Sequence, residues 1–548
     1  MSRFRFFLLS ILAASFSGQA AEGAPLEKWI YSPTNLQVDA NVEKMRALWT
    51  RAAKAGYTHI LLTDTKLAKL CDLGDMTKPY FRNLERIKTI AADLKLELVP
   101  AIFHVGYSND TLWHDPNLIE AMPVKDVPLL VGENGEARIA TDAAAPSLRG
   151  GDFADLKRWS WVDPNVVLDG GAAKVTDPKG ENARISQKLK VQPFRQYHVS
   201  VRIKTQEFKG KPEIKPIGAD GVMLSWDDLR VKPSQDWTTH HAVFNSENNS
   251  ELQLYFGVWG GQTGSLWWDD AAIEEVAFIN LVRRPGAPLK IVRENGTELV
   301  EGRDFEKFSD PKLGRDPWPG SYDVYHQPPV LKTTLPPGTK LRASYYHGVT
   351  INEGQAMICP SEPKTMELLR DNAVRVHKAF GAKGYMMSHD EIRVLNWCEA
   401  CQKRHLTPGQ ILAANVAQCS AILREINPGG KIYVWSDMFD PNHNAVKGPY
   451  YLVNGDLRGS WEGLPKEVIV VPWYFGKRAE SLAFFAGRGH RQIIAGYYDD
   501  KPERVKDWLD AARNVPNSVL GVMYTTWRTK YDDLEKFANV IDANAAKK

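Results

Sequence analysis

Eight short apolar runs, each closed by a polar or aromatic cluster and most followed by helical periodicity, set the narrowest limit on how this chain can fold. They fall at 29–32, 57–64, 96–107, 384–391, 431–440, 468–475, 492–500 and 519–527. Residues 57–64 (Tyr-Thr-His-Ile-Leu-Leu-Thr-Asp) show the form: an almost unbroken apolar stretch, as a strand covered on both faces requires. Amphipathic segments near 42–55, 81–94, 362–380, 408–426, 479–486 and 502–514, and a last one from about 532, alternate with them. Strand and helix in strict alternation predict an α/β fold, a (β/α)8 barrel of the TIM type.

The alternation stops between 108 and 352. Gly, Pro and Asn become frequent there and apolar residues alternate with polar ones, so the barrel is expected to be interrupted after its third strand by all-β material. Residues 21–107 form the barrel's first part and 353–548 its second, catalytic part. Without the leader and the interruption about 280 residues remain, close to the ~250 of a typical barrel. The interruption divides into a linker (108–155), a β-sandwich (156–278) and a small β unit (279–352). Asp236-Trp237-Thr238-Thr239 and Gly264-Ser265-Leu266-Trp267-Trp268-Asp269-Asp270 make the sandwich resemble carbohydrate-binding modules of the jelly-roll type. Tyr345, Tyr346 and His347 close the small unit and read as a buried aromatic edge or as groups reaching back to the barrel.

Hydrophobic residues make up 43% and charged residues 25% of the 548, which suits a globular chain with more than one core. Arg3, Arg5, an apolar run over 6–14 and small residues to Ala21 read as a secretory signal over 1–20, cleaved near Ala20 and leading to secretion or the periplasm. No later segment has the length of a membrane span. The net charge of +3 falls by two with loss of Arg3 and Arg5, too balanced for nucleic-acid binding. Of five cysteines, Cys398 and Cys401 with His405 could close a local disulfide, stay as thiols or form half of a metal site. Neither Gly-x-Ser-x-Gly nor a phosphate-cradling glycine loop occurs, which removes serine-hydrolase and nucleotide-enzyme readings; no cofactor is expected, and no metal, since no ligand spacing of an established metal motif occurs.

In such a barrel, catalytic side chains come from the C-terminal ends of strands. Those ends hold Asp64, His104, His389, Asp390, Glu391, Trp435, Asp437, Trp473, Tyr474, Tyr498, Asp499 and Trp527. Aromatic faces stack on pyranose rings and carboxyls supply acid–base chemistry, so an oligo- or polysaccharide is the expected partner. Asp390-Glu391 stands out, because two tandem carboxyls at the end of a buried strand need a reason.

The strand-terminal Asp390-Glu391, with Trp435, Trp473 and Trp527 on later strands, resembles the retaining β-N-acetylhexosaminidases of the family-20-like group. The resemblance implies an exported glycoside hydrolase of polysaccharide degradation, acting on a β-linked 2-acetamido sugar whose own acetamido oxygen is the nucleophile. It assigns Asp390 to orient that group, Glu391 to protonate the leaving oxygen and Tyr498 or Tyr474 to bind the acetamido carbonyl. Where the group places glycines before Asp-Glu, this chain has Ser388 and His389. A glycosidase pairing Glu391 with Asp437 or Asp499, and a glycan-binding protein without activity, are the alternatives.

Overall fold

The computed structural model describes residues 25–140, 146–176, 180–448 and 452–545; the signal sequence and its cleavage point lie outside them. Eight parallel strands close a barrel in chain order: β1 (Glu27–Pro33), β2 (His59–Thr63), β3 (Glu97–Ile102), β4 (Gly384–Met387), β5 (Lys431–Trp435), β6 (Ile469–Val471), β7 (Gln492–Ala495) and β8 (Val519–Tyr524). β8 returns to β1 with Glu27 opposite Gly521 and Ile30 opposite Tyr524. Around it pack α1 (Asp39–Lys54), α2 (Thr77–Asp93), α3 (Pro363–Phe380), α4 (Pro408–Ile426), α5 (Arg478–Gly487), α6 (Val505–Ala512) and α7 (Leu534–Ala545).

Local chemistry sets the ends of these helices. α3 starts on Pro363, where a missing N–H is harmless, and stops at Gly381 in the left-handed region. α4 carries a capping box in which Thr407 and Gln410 satisfy each other's backbone N–H groups. Side-chain alternation then makes two cores. Trp29, Leu61, Val99, Ala101, Met386, Tyr433, Ile469, Ile493 and Met523 fill the barrel, while Ile30, Leu62, Ile102, Met387, Val434 and Val470 face the helices.

Except for β1, which extends past its run at both ends, the strands are shorter than the apolar runs suggest. β3 ends before Phe103, whose φ is +56°, and β4 and β5 end at Met387 and Trp435. Most of the polar clusters therefore lie in loops above the barrel, with more freedom of aim than strand residues.

Between β3 and β4 the chain builds other sheets. A five-stranded sheet (Val166–Asp169, Ala172–Val175, Gln196–Lys209, Gln235–Asn245, Thr263–Val276) and a four-stranded one (Trp161–Val162, Ala183–Lys190, Pro212–Gly218, Glu251–Val258) share a core around Tyr197, Phe256 and Trp268. The stretch expected as a linker departs from that reading. Ala121–Val131 and Glu136–Ile139 are strands that pair, directly or through each other, with Lys340–Gly348 and Leu331–Lys332. Pro123 and Pro128 hide this in the sequence. The ladder tolerates them because it bulges between them, with Asp126 at φ +61° and its N–H donated to Ser344 Oγ at 3.0 Å.

Tyr345 and His347 are buried, as an aromatic edge would be. The Tyr345 hydroxyl donates to Gln196 Oε1 (3.2 Å) and His347 lies between Gln196 and Asn245, which ties this sheet to the sandwich. Among the described residues no helix is long and apolar enough to cross a membrane.

Candidate active site

Beyond β4 the backbone stays extended, with Ser388 N–H donated to Ile102 O (2.8 Å) and Val105 N–H to Ser388 O (3.0 Å). Alternation continues through this stretch. Ser388 and Asp390 face a cavity of about 600 Å³ at the barrel mouth, while His389 turns outward to α4, where Nε2 meets Asn415 Oδ1 at 3.0 Å. Glu391 would follow His389 outward, but its φ of +49° breaks the alternation and its carboxyl lines the same cavity as that of Asp390.

That turn is clamped from several sides. Glu391 N–H donates to Asp437 Oδ2 (2.9 Å), and Gln355 Nε2 donates to both Gly106 O (2.7 Å) and Glu391 O (3.1 Å). The Glu391 side chain is fixed as well, by Arg393 Nη2 at 2.8 Å from Oε1 and by the Tyr107 hydroxyl, which donates to Oε2.

Burial, then the neighbouring Asp437 and Glu391 carboxyls, hold Asp390 well above the usual carboxylate range. Burial pushes Asp437 up to about 7 and His104 down to about 4. Asp437 supplies a test. In the unfolded chain it loses its proton near pH ~4; in the folded chain it keeps it to about 7. The folded state binds more protons across that window, so the group's contribution to stability falls as pH rises through it and is level above it. Thermal melts should show Asp437→Asn gaining on the wild type as pH rises over this interval. A gap between the two that does not change with pH contradicts the assignment.

Aromatic side chains wall the cavity. Trp473 stacks parallel to Tyr498 (5.9 Å, 6°); Trp527 stands edge-on to Tyr31 (5.2 Å), Tyr498 (6.1 Å) and Trp473 (6.3 Å), and tilted to Trp435 (5.8 Å). An adjoining lobe of about 560 Å³ shares Glu391, Trp473 and Tyr498. Trp226, from a loop of the inserted sheets, lines that lobe, with the Arg393 guanidinium 5.5 Å above its ring.

The expected residues thus separate. Asp390, Glu391, His104, Trp435, Trp473, Tyr498 and Trp527 line the main cavity. Tyr474 lines the side lobe, stacked on His443 at 4.5 Å. Four others are placed differently. His389 points away, as above. Asp64 caps the short turn Thr65–Lys69, with Oδ1 accepting Lys66 N–H (3.0 Å) and Oδ2 accepting Leu36 N–H (2.9 Å), while its neighbours Thr63 and Thr65 face the cavity. Asp437 is buried behind the Glu391 turn, where Oδ2 also accepts Asn444 Nδ2 at 3.2 Å. Asp499 accepts the Thr526 hydroxyl (2.5 Å) and the N–H groups of Trp527 (2.8 Å) and Arg528 (3.2 Å), so it holds the loop that presents Trp527. Sequence reasoning missed Tyr31, Tyr107, Trp226 and Arg393 as site residues. Tyr107 and Tyr31 sit in recognised apolar runs, and Arg393 follows Glu391 by two residues, where an ion pair with the acids is the structural alternative to catalysis; nothing in the sequence brings Trp226 to the mouth.

No protein-family model and no curated protein matches the chain. Solved structures do show similarity. The rhamnosidase of Novosphingobium sp. PP1Y is 12% identical over 95% of this chain, with a TM-score of 0.37, and the chain spans 59% of its length. The pneumococcal exo-β-D-N-acetylglucosaminidase StrH, in its family-20 catalytic modules, is 9% identical over 95% of this chain and 84% of that one, at a TM-score of 0.36. A family-4 carbohydrate-binding module is 15% identical over 27% of this chain and 94% of its own, at 0.17. At these TM-scores none of the likenesses bears on the chemistry, which rests on the residues themselves.

Proposed function

We propose that this chain is an exported glycoside hydrolase that cleaves a β-linked 2-acetamido sugar with retention of configuration. One observation carries the reading: two consecutive carboxyls, Asp390 and Glu391, face a single cavity at the C-terminal end of a barrel strand, inside a wall of Tyr31, Trp435, Trp473, Tyr498 and Trp527. Indole and phenol faces take the apolar faces of a pyranose, and the carboxyls take its reacting groups.

In this reading Glu391, held in aim by Arg393 and Tyr107, protonates the departing glycosidic oxygen. Asp390 accepts the acetamido N–H, the acetamido oxygen closes on the anomeric carbon, and a water deprotonated by Glu391 then opens the bicyclic intermediate. Between Tyr498 and Tyr474, the role of binding the acetamido carbonyl goes to Tyr498 in this reading, because Tyr498 lines the cavity of Asp390 and Tyr474 lines only the side lobe. Asp437 and Asp499 serve as positioning residues for Glu391 and Trp527 rather than as a second catalytic carboxyl.

A stable thiazoline mimic of the bicyclic intermediate tests this path. It should inhibit competitively, and Asp390→Asn should weaken that inhibition by about 100-fold or more, the range of one charge-assisted contact. No inhibition, together with an Asp390→Asn variant that still hydrolyses a 2-hydroxy glycoside, points to a different second group and refutes substrate assistance.

The inserted sandwich shapes the subsites beyond the scissile bond through Trp226. Trp226→Ala should raise KM for an oligosaccharide by about 10-fold, the order of one lost stacking contact, and leave KM for a small aryl glycoside unchanged. Equal effects on both substrates remove Trp226 from the distal subsite.

A further inference from the structure

We infer that Glu120, Cys359, Cys398 and Cys401 form a closed tetrahedral site for a thiophilic divalent cation, zinc first among them, that staples the inserted sheets to the catalytic loop. Their ligand atoms all lie within 4.8 Å of one another and all four residues are buried. Cys359 Sγ is 3.4 Å from Cys398 Sγ and 3.7 Å from Cys401 Sγ, and Glu120 Oε2 is 3.5 and 3.6 Å from the sulfurs of Cys398 and Cys401. Zinc at ~2.3 Å from sulfur and ~2.0 Å from oxygen sets tetrahedral edges of about 3.8 Å between sulfurs and about 3.5 Å between sulfur and oxygen. Of these four separations the Cys359–Cys401 sulfur pair and both sulfur–oxygen pairs fall within 0.1 Å of those edges, and the Cys359–Cys398 pair is 0.4 Å shorter.

Neighbouring groups fix the aim of the ligand atoms. Glu120 Oε1 is occupied by the N–H groups of Trp397 (2.9 Å) and Cys398 (3.1 Å), which leaves Oε2 aimed at the sulfurs. Ser361 Oγ lies 3.2 Å from Cys401 Sγ. Three thiolates and a carboxylate around a dication leave a net charge of about −2; the buried Arg284 guanidinium, which also pairs with Glu362 at 3.1 Å, is the neighbouring cation that offsets part of it. A disulfide explains less, because any pair among three cysteines strands the third thiol beside a buried carboxyl. The described cysteines are all free.

The site is assembled from three distant segments. Backbone bonds Glu120 N–H to Met357 O (2.7 Å) and Cys359 N–H to Leu118 O (2.7 Å) join the segment leaving the barrel to the one returning. Cys398 and Cys401 then follow Glu391 by only a few residues. All four positions are filled by protein, so the metal is structural and its effect on chemistry runs through the Glu391 loop. This inference does not depend on the glycosidase reading.

The test uses the full chain purified without chelators. Elemental analysis should find about one zinc per chain. After reduction and stripping, added Co2+ should give the visible bands and sulfur-to-metal charge-transfer absorption of tetrahedral thiolate cobalt. Cys359→Ser and Cys398→Ser should lose that signal, and Cys71→Ser and Cys419→Ser should keep it. Should the first two fail to fold, the cobalt titration of the unsubstituted chain decides. Protein that carries no metal and develops no charge-transfer band overturns the proposal. So does an intact mass two hydrogens short of the fully reduced chain.

Discussion

Glu391→Gln is expected to keep the fold and to lower kcat/KM on an aryl N-acetyl-β-hexosaminide by about 10^3-fold, the middle of the range for a positioned general acid. The substitution keeps the length of the side chain and can keep the contacts to Arg393 and Tyr107, so a loss of activity reports on proton transfer rather than collapse. The loss should shrink on a leaving group acidic enough to depart unprotonated, since bond cleavage then needs no donor. A uniform loss across leaving groups would indicate instead that Glu391 only positions its neighbours.

Gly106→Ala should be nearly as damaging, although residue 106 carries no chemistry. A Cβ there would overlap the carbonyl oxygen of Asp390 and come within 3.0 Å of its carbon and 3.2 Å of the Glu391 carbonyl carbon. The obstacle is backbone, so the β4 loop must move. The turn is also tied to Asp437 and Gln355, so the movement reaches both carboxyls. A displacement near 1 Å costs about 100-fold in rate, and overpacking costs about 1–3 kcal/mol of stability. Steady-state rates and a thermal melt check both; wild-type values in the two assays would mean the loop is not held where the structure has it.

How much of this was legible in the sequence follows from which interactions are local. The barrel strands announce themselves because burial on both faces demands continuous apolar runs, and each of the eight runs overlaps a barrel strand. Their ends were overextended. Phe103 and Glu391 sit in left-handed conformations that side-chain type does not advertise, and an alternation read through them misassigns every residue beyond. His389, Asp64, Asp437 and Asp499 read as candidates from their position near strand ends alone, and that position does not say which way a loop turns a side chain: they face a helix, cap a turn or brace a loop. Ala121–Val131 was lost to its two prolines. Trp226 and Arg393 meet across 167 residues, and Glu120 meets Cys398 across 278; no local pattern encodes such pairs. The Cys-x-x-Cys was visible, but its two other partners were not.

Parallel initial-rate measurements on aryl β-glycosides with a 2-acetamido or a 2-hydroxy group, using wild type and Glu391→Gln side by side, test the central claim most directly. The account predicts that wild type hydrolyses the 2-acetamido substrate, releasing the β-anomer first, and that Glu391→Gln does so about 10^3-fold more slowly. Wild type with no activity on any glycoside, or hydrolysis that Glu391→Gln leaves intact, contradicts it.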